Sequence, residues 1–188
     1  MKKKTCAAFI FEGFIDHQLS LALACLNKTD AYVLETFSTK LRPVTAASGL
    51  RVMPHASLGL MTPEDFDVLL LPGGIQWEKG DNLEVFSLIR LVAGRKPLVA
   101  IGEAVLALAD LGLLDDILHT GNHPGYIKQF CPEYAGAAFF RQQPFVAAGP
   151  IVTISNTTLT PSSHGILGLF DTLQRKYAPT HEFFDQKQ

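Results

Sequence analysis

The sequence has few cysteines, and their spacing is not that of a disulfide framework or a zinc site. Its 188 residues include only Cys6, Cys25 and Cys131. An odd number of cysteines without a C-x-x-C pair argues against both a set of disulfides and a zinc site. We therefore expect a protein of the reducing cytoplasm, and we expect no metal and no other cofactor.

The sequence also lacks an excess of charge and a long hydrophobic run. The formal net charge is -2, with acids and bases interspersed. Without a broad basic surface to neutralise phosphates, nucleic acid is not an expected partner. No segment approaches the roughly 18 apolar residues that suggest a membrane span. The basic start is followed by an apolar run that Glu12 interrupts, with no cleavage site, so we expect neither a membrane anchor nor export.

What the sequence does have is enough apolar material for one substantial core. Hydrophobic residues make up 47% of the chain and charged residues 18%. A chain of this length is typical of one domain and short for two. We expect a single domain over 1–188, with a polar and mobile tail over 179–188.

Short apolar runs without alternation predict buried strands of a parallel sheet, because such strands are covered on both faces. These runs are Cys6–Phe11, Ala31–Phe37, Val68–Leu71 and Leu98–Ile101, and a later strand is predicted over Ile151–Thr160. The segment 41–60 is punctuated by proline and glycine and predicts a strand excursion or hairpin. The segment 119–145 shows no clear period.

Helical patterns with recognisable ends separate these runs. Asp16 is a candidate N-cap of the first helix, Thr62 precedes a proline in a first turn, Asn82 opens a helix that Gly94 closes, and Ser163 caps a last one. Alternating strands and helices predict an α/β fold of three layers, with a doubly wound, mainly parallel sheet and helices on both faces. Ligands of such folds bind beyond the carboxyl ends of the strands.

The turn after Leu98–Ile101 is the most informative position. There the strand runs directly into an alanine- and leucine-rich helix through Gly102 and Glu103. An α/β enzyme holds its nucleophile at such an elbow, beside the free N–H groups of a helix N-terminus. Gly102 has no side chain to offer. We predict that Gly102 has a positive φ angle or lies in another sparsely allowed region, the geometry of an inherited elbow.

Four motifs together resemble the ThiJ/PfpI superfamily, which includes intracellular peptidases and amidases, a deglycase family associated with Parkinsonism, and class I glutamine amidotransferase-like proteins. The motifs are FEGFIDHQ at 11–18, DFDVLLLPGG at 65–74, KPLVAIGEAVLALADLGLLDD at 96–116 and HTGNHPGY at 119–126. The resemblance covers most of the chain. It implies the flavodoxin-like version of the predicted fold.

The resemblance also assigns functional positions. Enzymes of the family place a cysteine at the elbow, in the sequence A-I-C, and a glutamate in the loop after the first strand. In this chain the cysteine position holds Gly102 and the glutamate position holds Gln18. Glycine cannot act as a nucleophile, and glutamine cannot exchange a proton as a carboxyl group does. We therefore predict no catalytic residue and a catalytically degenerate member of the family.

The backbone donors of the family are retained. Gly73 and Gly74 follow the strand LLLP, and the N–H of Glu103 lies at the helix start. An oxyanion-type pocket is therefore expected, with an anion or water at the N–H groups of Gly74 and Glu103. The Glu103 side chain is either a displaced acid or base, or a complement to the helix dipole. His123 is either a residue over the pocket or a loop or interface histidine.

The predicted pocket thus consists of Gln18, Gly73, Gly74, Gly102, Glu103 and His123, without a metal. Trp77, in the loop after the glycine pair, is a candidate cap for a ligand or a dimer contact. Cys6 and Cys25 are predicted to be inert core residues. Cys131, in an irregular segment, is the thiol expected to label readily.

Three classes of function remain open from the sequence. The first is a cytoplasmic protein that binds a small anionic or carbonyl-bearing metabolite, or acts in regulation, without the elbow cysteine. The alternative is an amidase, deglycase or glutamine amidotransferase-like enzyme that uses a substitute residue. The third is an assembly partner whose sheet fold contributes mainly an interface. The resemblance and the apolar segment 41–60 further predict a homodimer.

Overall fold

A sheet of seven strands forms the centre of the part of the chain that the structure describes. The structure is a computed structural model that describes residues 3–28 and 31–156. The strands of this sheet are β1 (Lys4–Phe9), β2 (Tyr32–Ser38), β5 (Ala56–Ser57), β6 (Val68–Leu71), β7 (Leu98–Ile101), β8 (Phe145–Ala148) and β9 (Ile151–Ile154), and β3 (Val44–Thr45) and β4 (Arg51–Val52) form a separate hairpin. The predicted helix at Ser163 and the tail over 179–188 lie outside the described residues.

The order of the strands across the sheet is β5-β2-β1-β6-β7-β9-β8. Every pairing is parallel except that of β8 with β9. Non-consecutive neighbours such as β1 and β6 require crossover connections, as in doubly wound folds. All residues of β6 and β7 are buried, which explains their unbroken apolar sequences.

Helices connect the strands. They are α1 (Asp16–Lys28), α2 (Gln76–Lys79), α3 (Phe86–Val92), α4 (Val105–Asp110) and α5 (Pro124–Phe130), with short 3₁₀ turns at Leu58–Leu60, Pro63–Asp65, Leu83–Val85, Gly102–Ala104 and Gly136–Phe139. The predicted α/β class and the mainly parallel, flavodoxin-like sheet are confirmed.

Several details differ from the sequence prediction. Thr62 caps a 3₁₀ turn, closed by a reciprocal capping box with Asp65, instead of opening an α-helix. Asn82 precedes the 3₁₀ turn that leads into α3, but its side chain makes no capping bond. The segment 41–60 forms the predicted hairpin. Within 119–145, where no clear period was found, the structure contains α5, which was not predicted.

Within residues 3–28 and 31–156, no helix combines the length and the apolar character that crossing a membrane requires.

Candidate functional site

The elbow between β7 and α4 has the backbone geometry of a nucleophile turn but carries glycine. Gly102 has a φ angle of +58°, which confirms the predicted positive value. A Cβ atom at this position would lie 3.2 Å from Gln18 Nε2 and 3.3 Å from the Cβ of Asn156. Glycine therefore suits both the left-handed backbone and the crowded space above it.

Gln18, from the third position of α1, connects the elbow with the glycine pair. Its side chain is buried, and its Oε1 accepts a hydrogen bond from the Gly73 N–H at 2.7 Å. Its Nε2 donates to Asn156 Oδ1 at 2.8 Å. An amide performs both tasks at once, whereas an ionised carboxylate only accepts hydrogen bonds. The glutamine is thus matched to its two partners.

Glu103 supplies the negative charge of the site. Its Oε2 accepts a hydrogen bond from the Gly74 N–H at 3.2 Å. Its Oε1 accepts from Asn156 Nδ2 at 2.8 Å and from Asn122 Nδ2 at 3.3 Å. The expectation of an external anion or water at the Gly74 N–H is therefore wrong, because the chain's own carboxylate accepts that hydrogen bond. These hydrogen bonds place the Glu103 side chain among the pocket groups, and its role as an acid or base stays a prediction.

The glycine pair after β6 has no room for side chains. A Cβ on Gly73 would collide with Glu103 Oε2 and lie 2.8 Å from Gln18 Oε1. Gly74 has a φ angle of +155°, and a Cβ there would lie 2.8 Å from the Phe11 ring. Both glycines therefore let the backbone approach side chains that a larger residue would displace.

Trp77 fixes the segment that carries this pair. Its indole Nε1 donates to the carbonyl oxygen of Pro72 at 2.8 Å, and its ring meets the Phe11 ring edge-on, with centroids 5.5 Å apart. Trp77 is buried. It is therefore part of the core, and its predicted contact with a ligand or a second copy stays a prediction.

Tyr126, on α5, lies close enough to Glu103 for that charge to affect its pKa. The Tyr126 hydroxyl donates to Glu78 Oε1 at 2.7 Å. Burial raises the pKa of Tyr126, and the hydrogen bond to Glu78 and the negative charges of Glu78 and Glu103 raise it further. The phenol is therefore a neutral hydrogen-bond donor and not a base at ordinary pH.

His123 has a structural task at the start of α5. It is exposed, and its Nδ1 accepts the Gly125 N–H at 3.0 Å as an N-cap. Asn122, the preceding residue, contacts Glu103. The structure thus brings together Gln18, Gly73, Gly74, Gly102 and Glu103 of the predicted pocket, while His123 bonds to its own helix.

The thiols differ from one another as well. Cys131 is buried, its Sγ donates to the Leu106 carbonyl at 3.4 Å, and burial raises its pKa to about 11. The prediction that it labels readily is therefore wrong, because little of it is thiolate or accessible. Cys6 is an inert core residue as predicted, and burial raises its pKa to about 12. The side chain of Cys25 lies outside the description.

Asn122 and Asn156 are pocket residues that sequence reasoning missed. Asn156 is the second residue after the end of β9, and its backbone N–H donates to Asn122 Oδ1 at 3.3 Å. The end of β9 lies beside the end of β7, so its loop approaches the elbow. The position of Asn156 close to the end of a strand was the signal from which the sequence could have indicated a pocket residue.

Over residues 3–28 and 31–156, no three His, Cys, Asp or Glu side chains are grouped so that they could hold a metal ion.

The comparisons with known proteins agree with this architecture. The model of the DJ-1/PfpI family matches residues 4–162, so the chain belongs to the DJ-1/PfpI family. A Bacillus subtilis relative named "Uncharacterized protease YoaZ" is 28% identical over 172 residues, which cover 82% of this chain and 78% of the relative.

Solved structures of the same superfamily are similar over nearly the whole chain. The DJ-1 superfamily protein Atu0886 from Agrobacterium tumefaciens is 28% identical, with a TM-score of 0.81 and coverage of 92% of this chain and 93% of that one. A thiJ/pfpI family protein from Bacillus anthracis is also 28% identical, with a TM-score of 0.82 and coverage of 92% and 84%.

Proposed function

We propose that this chain binds a small carbonyl-bearing metabolite non-covalently at the elbow site, beside the polar groups around Glu103, and that it acts in the cytoplasm. The observation that carries the proposal is the network around Glu103, whose carboxylate accepts hydrogen bonds from Gly74, Asn122 and Asn156. The pocket is thus organised around fixed polar groups, while the elbow itself has no nucleophilic side chain. In a regulatory role, binding of the metabolite at this same site would be the event that the protein reports.

The charge of the site favours one of the two ligand classes that the sequence left open. The Glu103 carboxylate already pairs with Gly74, and a second anion beside it would meet repulsion in a partly buried site. Asn156 uses one described amide hydrogen on Glu103, and a carboxamide has two. This donor suits an uncharged carbonyl oxygen. The proposal therefore narrows the ligand to a carbonyl compound.

A second candidate is an enzyme in which Glu103 acts as acid or base. Its support is the position of the carboxylate at the elbow, together with the name of the Bacillus subtilis relative. In such an enzyme a water molecule would attack the substrate, because Gly102 offers no attacking atom. A general base must lie within hydrogen-bond reach of the proton that it takes.

The discriminating experiment measures binding and turnover on the same preparation of the full chain. Methylglyoxal, glutamine and small amides are titrated by calorimetry, and product formation is followed separately. We expect binding of a carbonyl compound without product. The matched variant Glu103→Gln keeps the size of the side chain and removes its charge. Turnover that Glu103→Gln abolishes would establish the second candidate, and turnover that iodoacetamide abolishes would overturn both.

A second experiment tests whether the Glu103 carboxylate occupies the backbone N–H of Gly74. Glu103→Ala removes the carboxylate from the Gly74 N–H, so acetate should stabilise this variant against thermal unfolding more than it stabilises the unchanged chain. Glu78→Ala is the matched control, because it removes a carboxylate from Tyr126 and frees no glycine donor. An equal acetate effect on all three proteins would contradict the assigned role of Glu103.

A further inference from the structure

A short segment ahead of α5 connects a buried histidine with the elbow site. We call residues 119–122 the strap; they lie in no helix and in no strand of the sheet. The first residue, His119, is fully buried. The last, Asn122, donates a hydrogen bond to Glu103 Oε1 at 3.3 Å. A change at the buried histidine is therefore only three residues away from a donor of the elbow site.

Few backbone hydrogen bonds hold the strap. The His119 N–H donates to the Phe139 carbonyl at 3.3 Å, and the Arg141 N–H donates to the His119 carbonyl at 2.8 Å. The Thr120 N–H donates to the side-chain oxygen of Thr153, on β9, at 2.8 Å. Segments with few backbone bonds open at a lower free energy than central strands do. The strap is therefore suited to open locally while the sheet stays folded.

The side chain of His119 fastens the strap to its surroundings. Its Nδ1 lies 2.8 Å from the Ile117 carbonyl, which can only accept, so Nδ1 carries a hydrogen and Nε2 accepts from the Tyr134 hydroxyl at 2.6 Å. The ring also meets the rings of Tyr134 and Phe140 edge-on, with centroids 5.7 Å and 5.8 Å apart. The neutral ring is thus the form that fits this site.

A proton on Nε2 would disturb this arrangement. The new hydrogen would face the hydroxyl hydrogen of Tyr134, and within the described part of the chain that hydroxyl has no other hydrogen-bond partner. Burial lowers the pKa of His119 most, and Arg141 lowers it further, whereas the hydrogen bond at Nδ1 and Asp115 oppose the shift. Lys128 donates to the Tyr134 carbonyl and so adds a positive charge on that side. The closed strap therefore disfavours the charged ring.

We propose that His119 is a pH-sensitive catch: when its ring takes a proton, the strap opens locally and withdraws Asn122 from Glu103. The sheet stays folded during this opening. The Glu103 carboxylate then loses one of its three described donors. The proposal concerns the hydrogen bonds of the elbow site itself, so it does not depend on which ligand the elbow binds.

Native-state hydrogen exchange of the full chain, followed by NMR, tests the proposal. Protection factors of the Thr120 and Arg141 amides report on the strap, and that of the Ile10 amide, which donates to the Phe37 carbonyl, reports on the sheet. The open strap binds a proton with the ordinary histidine pKa of about 6.5, so its opening should become up to about tenfold more frequent between pH 7.5 and 5.5.

Urea separates local opening from unfolding of the whole protein. A local opening exposes little surface, so the exchange of Thr120 and Arg141 should depend weakly on urea, while that of Ile10 should depend strongly. The backbone amide of Asn156, which donates to Asn122 Oδ1, reports whether the opening reaches the elbow. Its protection should change with pH as that of the strap does.

Two variants identify the histidine. His119→Asn keeps a donor and an acceptor but cannot take a proton in this pH range, so the pH dependence of strap opening should disappear. His123→Asn is the matched control, because His123 also accepts an N–H through Nδ1 and asparagine is a preferred N-cap. The pH dependence should remain in this control. The pH and urea series on the unchanged chain tests the opening even if His119→Asn does not fold.

Four results would overturn the proposal. The first is equal urea dependence of Thr120, Arg141 and Ile10, which would mean that the strap opens only by global unfolding. The second is an unchanged pH dependence in His119→Asn. The third is the loss of this dependence in His123→Asn. The fourth is protection of Asn156 that does not follow the strap, because the opening would then not reach the elbow.

Discussion

Glu103 Oε2 lies 3.2 Å from the backbone nitrogen of Gly74. Glu103, directly after the elbow glycine, thus accepts a hydrogen bond from the second glycine of the pair that follows β6. The two residues come from the ends of neighbouring parallel strands, β6 and β7. Their hydrogen bond joins the two loops at the centre of the sheet. The elbow pocket therefore has a charged, hydrogen-bonded acceptor of its own.

Restoring the family's cysteine at the elbow should destabilise the protein. In Gly102→Cys a side chain enters a left-handed position, which costs roughly 1–2 kcal/mol, and its Cβ also crowds Gln18 and Asn156. Gly94→Cys is the matched control, because Gly94 has a φ angle of +75° and open space around it. Urea denaturation should show a larger loss of unfolding free energy for Gly102→Cys. Equal losses would mean that the crowding has no energetic effect.

The acidity of the new thiol should depend on Glu103. A helix start lowers a thiol pKa below its usual value of about 8.5, whereas a neighbouring carboxylate raises it. The double variant Gly102→Cys with Glu103→Gln should therefore have a lower thiol pKa than Gly102→Cys alone. The pH dependence of the iodoacetamide reaction measures both values. An unchanged pKa would place the new sulfur outside the field of the carboxylate.

Adding Gln18→Glu to Gly102→Cys should restore the family's pairing of a carboxyl group with the thiol. Because a carboxyl group can exchange a proton, weak turnover of methylglyoxal or a small amide is expected from the double variant and not from Gly102→Cys. Product formation is the measurement. The expectation fails if the two proteins are equally inactive although the new thiol reacts with iodoacetamide.

The protein should lose stability in mild acid because of His119. This histidine is fully buried; its Nδ1 is 2.8 Å from the Ile117 carbonyl, so Nε2 accepts from the Tyr134 hydroxyl at 2.6 Å. Burial lowers the His119 pKa, with a smaller effect of Arg141 in the same direction, while the Ile117 hydrogen bond and Asp115 oppose the shift. Because the unfolded chain binds the proton more readily, the stabilisation is present above about pH 6.5 and is lost as the pH falls through the folded pKa.

Urea denaturation between pH 7.5 and 5 measures this effect, and His119→Asn is the comparison. The variant should be less stable at pH 7.5, but its free energy of unfolding should fall less steeply toward pH 5. Parallel curves for the two proteins would show that other groups cause the acid sensitivity.

The predicted homodimer has a surface for testing. Leu41, Leu50, Met53 and Leu60 are each more than half exposed in the segment 41–60. Light scattering should give twice the mass of the 20.5 kDa chain, and Leu50→Glu with Met53→Glu should reduce it. Leu91→Glu is the control on another exposed surface. A single-chain mass for the unchanged protein at micromolar concentration would contradict the prediction.

Strands buried on both faces were the most predictable elements. Val68–Leu71 and Leu98–Ile101 have the predicted bounds. A continuous apolar run of this length is too short for a typical helix, so a buried strand is the structure that it favours. The edge strand β8 was missed, since its burial is partial and its sequence gives no sustained period. The start of α5 was missed because His123 is an unusual N-cap, although Pro124 at the first helical position was a signal.

The elbow could be located from sequence because its strand and helix are adjacent in the chain. Its hydrogen-bond partners could not, because Asn122 and Asn156 are 19 and 53 residues away from Glu103. Only the pairing of β7 with β9 brings the second of these into reach. The negative charge of Glu103 could be read from the sequence, but the backbone and side-chain groups that donate hydrogen bonds to it could not.

The single tryptophan gives the protein a built-in optical probe. Its indole nitrogen donates to the carbonyl oxygen of Pro72, directly before the glycine pair. Indole emission depends on polarity and hydrogen bonding around the ring. The intrinsic fluorescence of Trp77 should therefore respond to unfolding and to displacement of the glycine segment, without any attached dye.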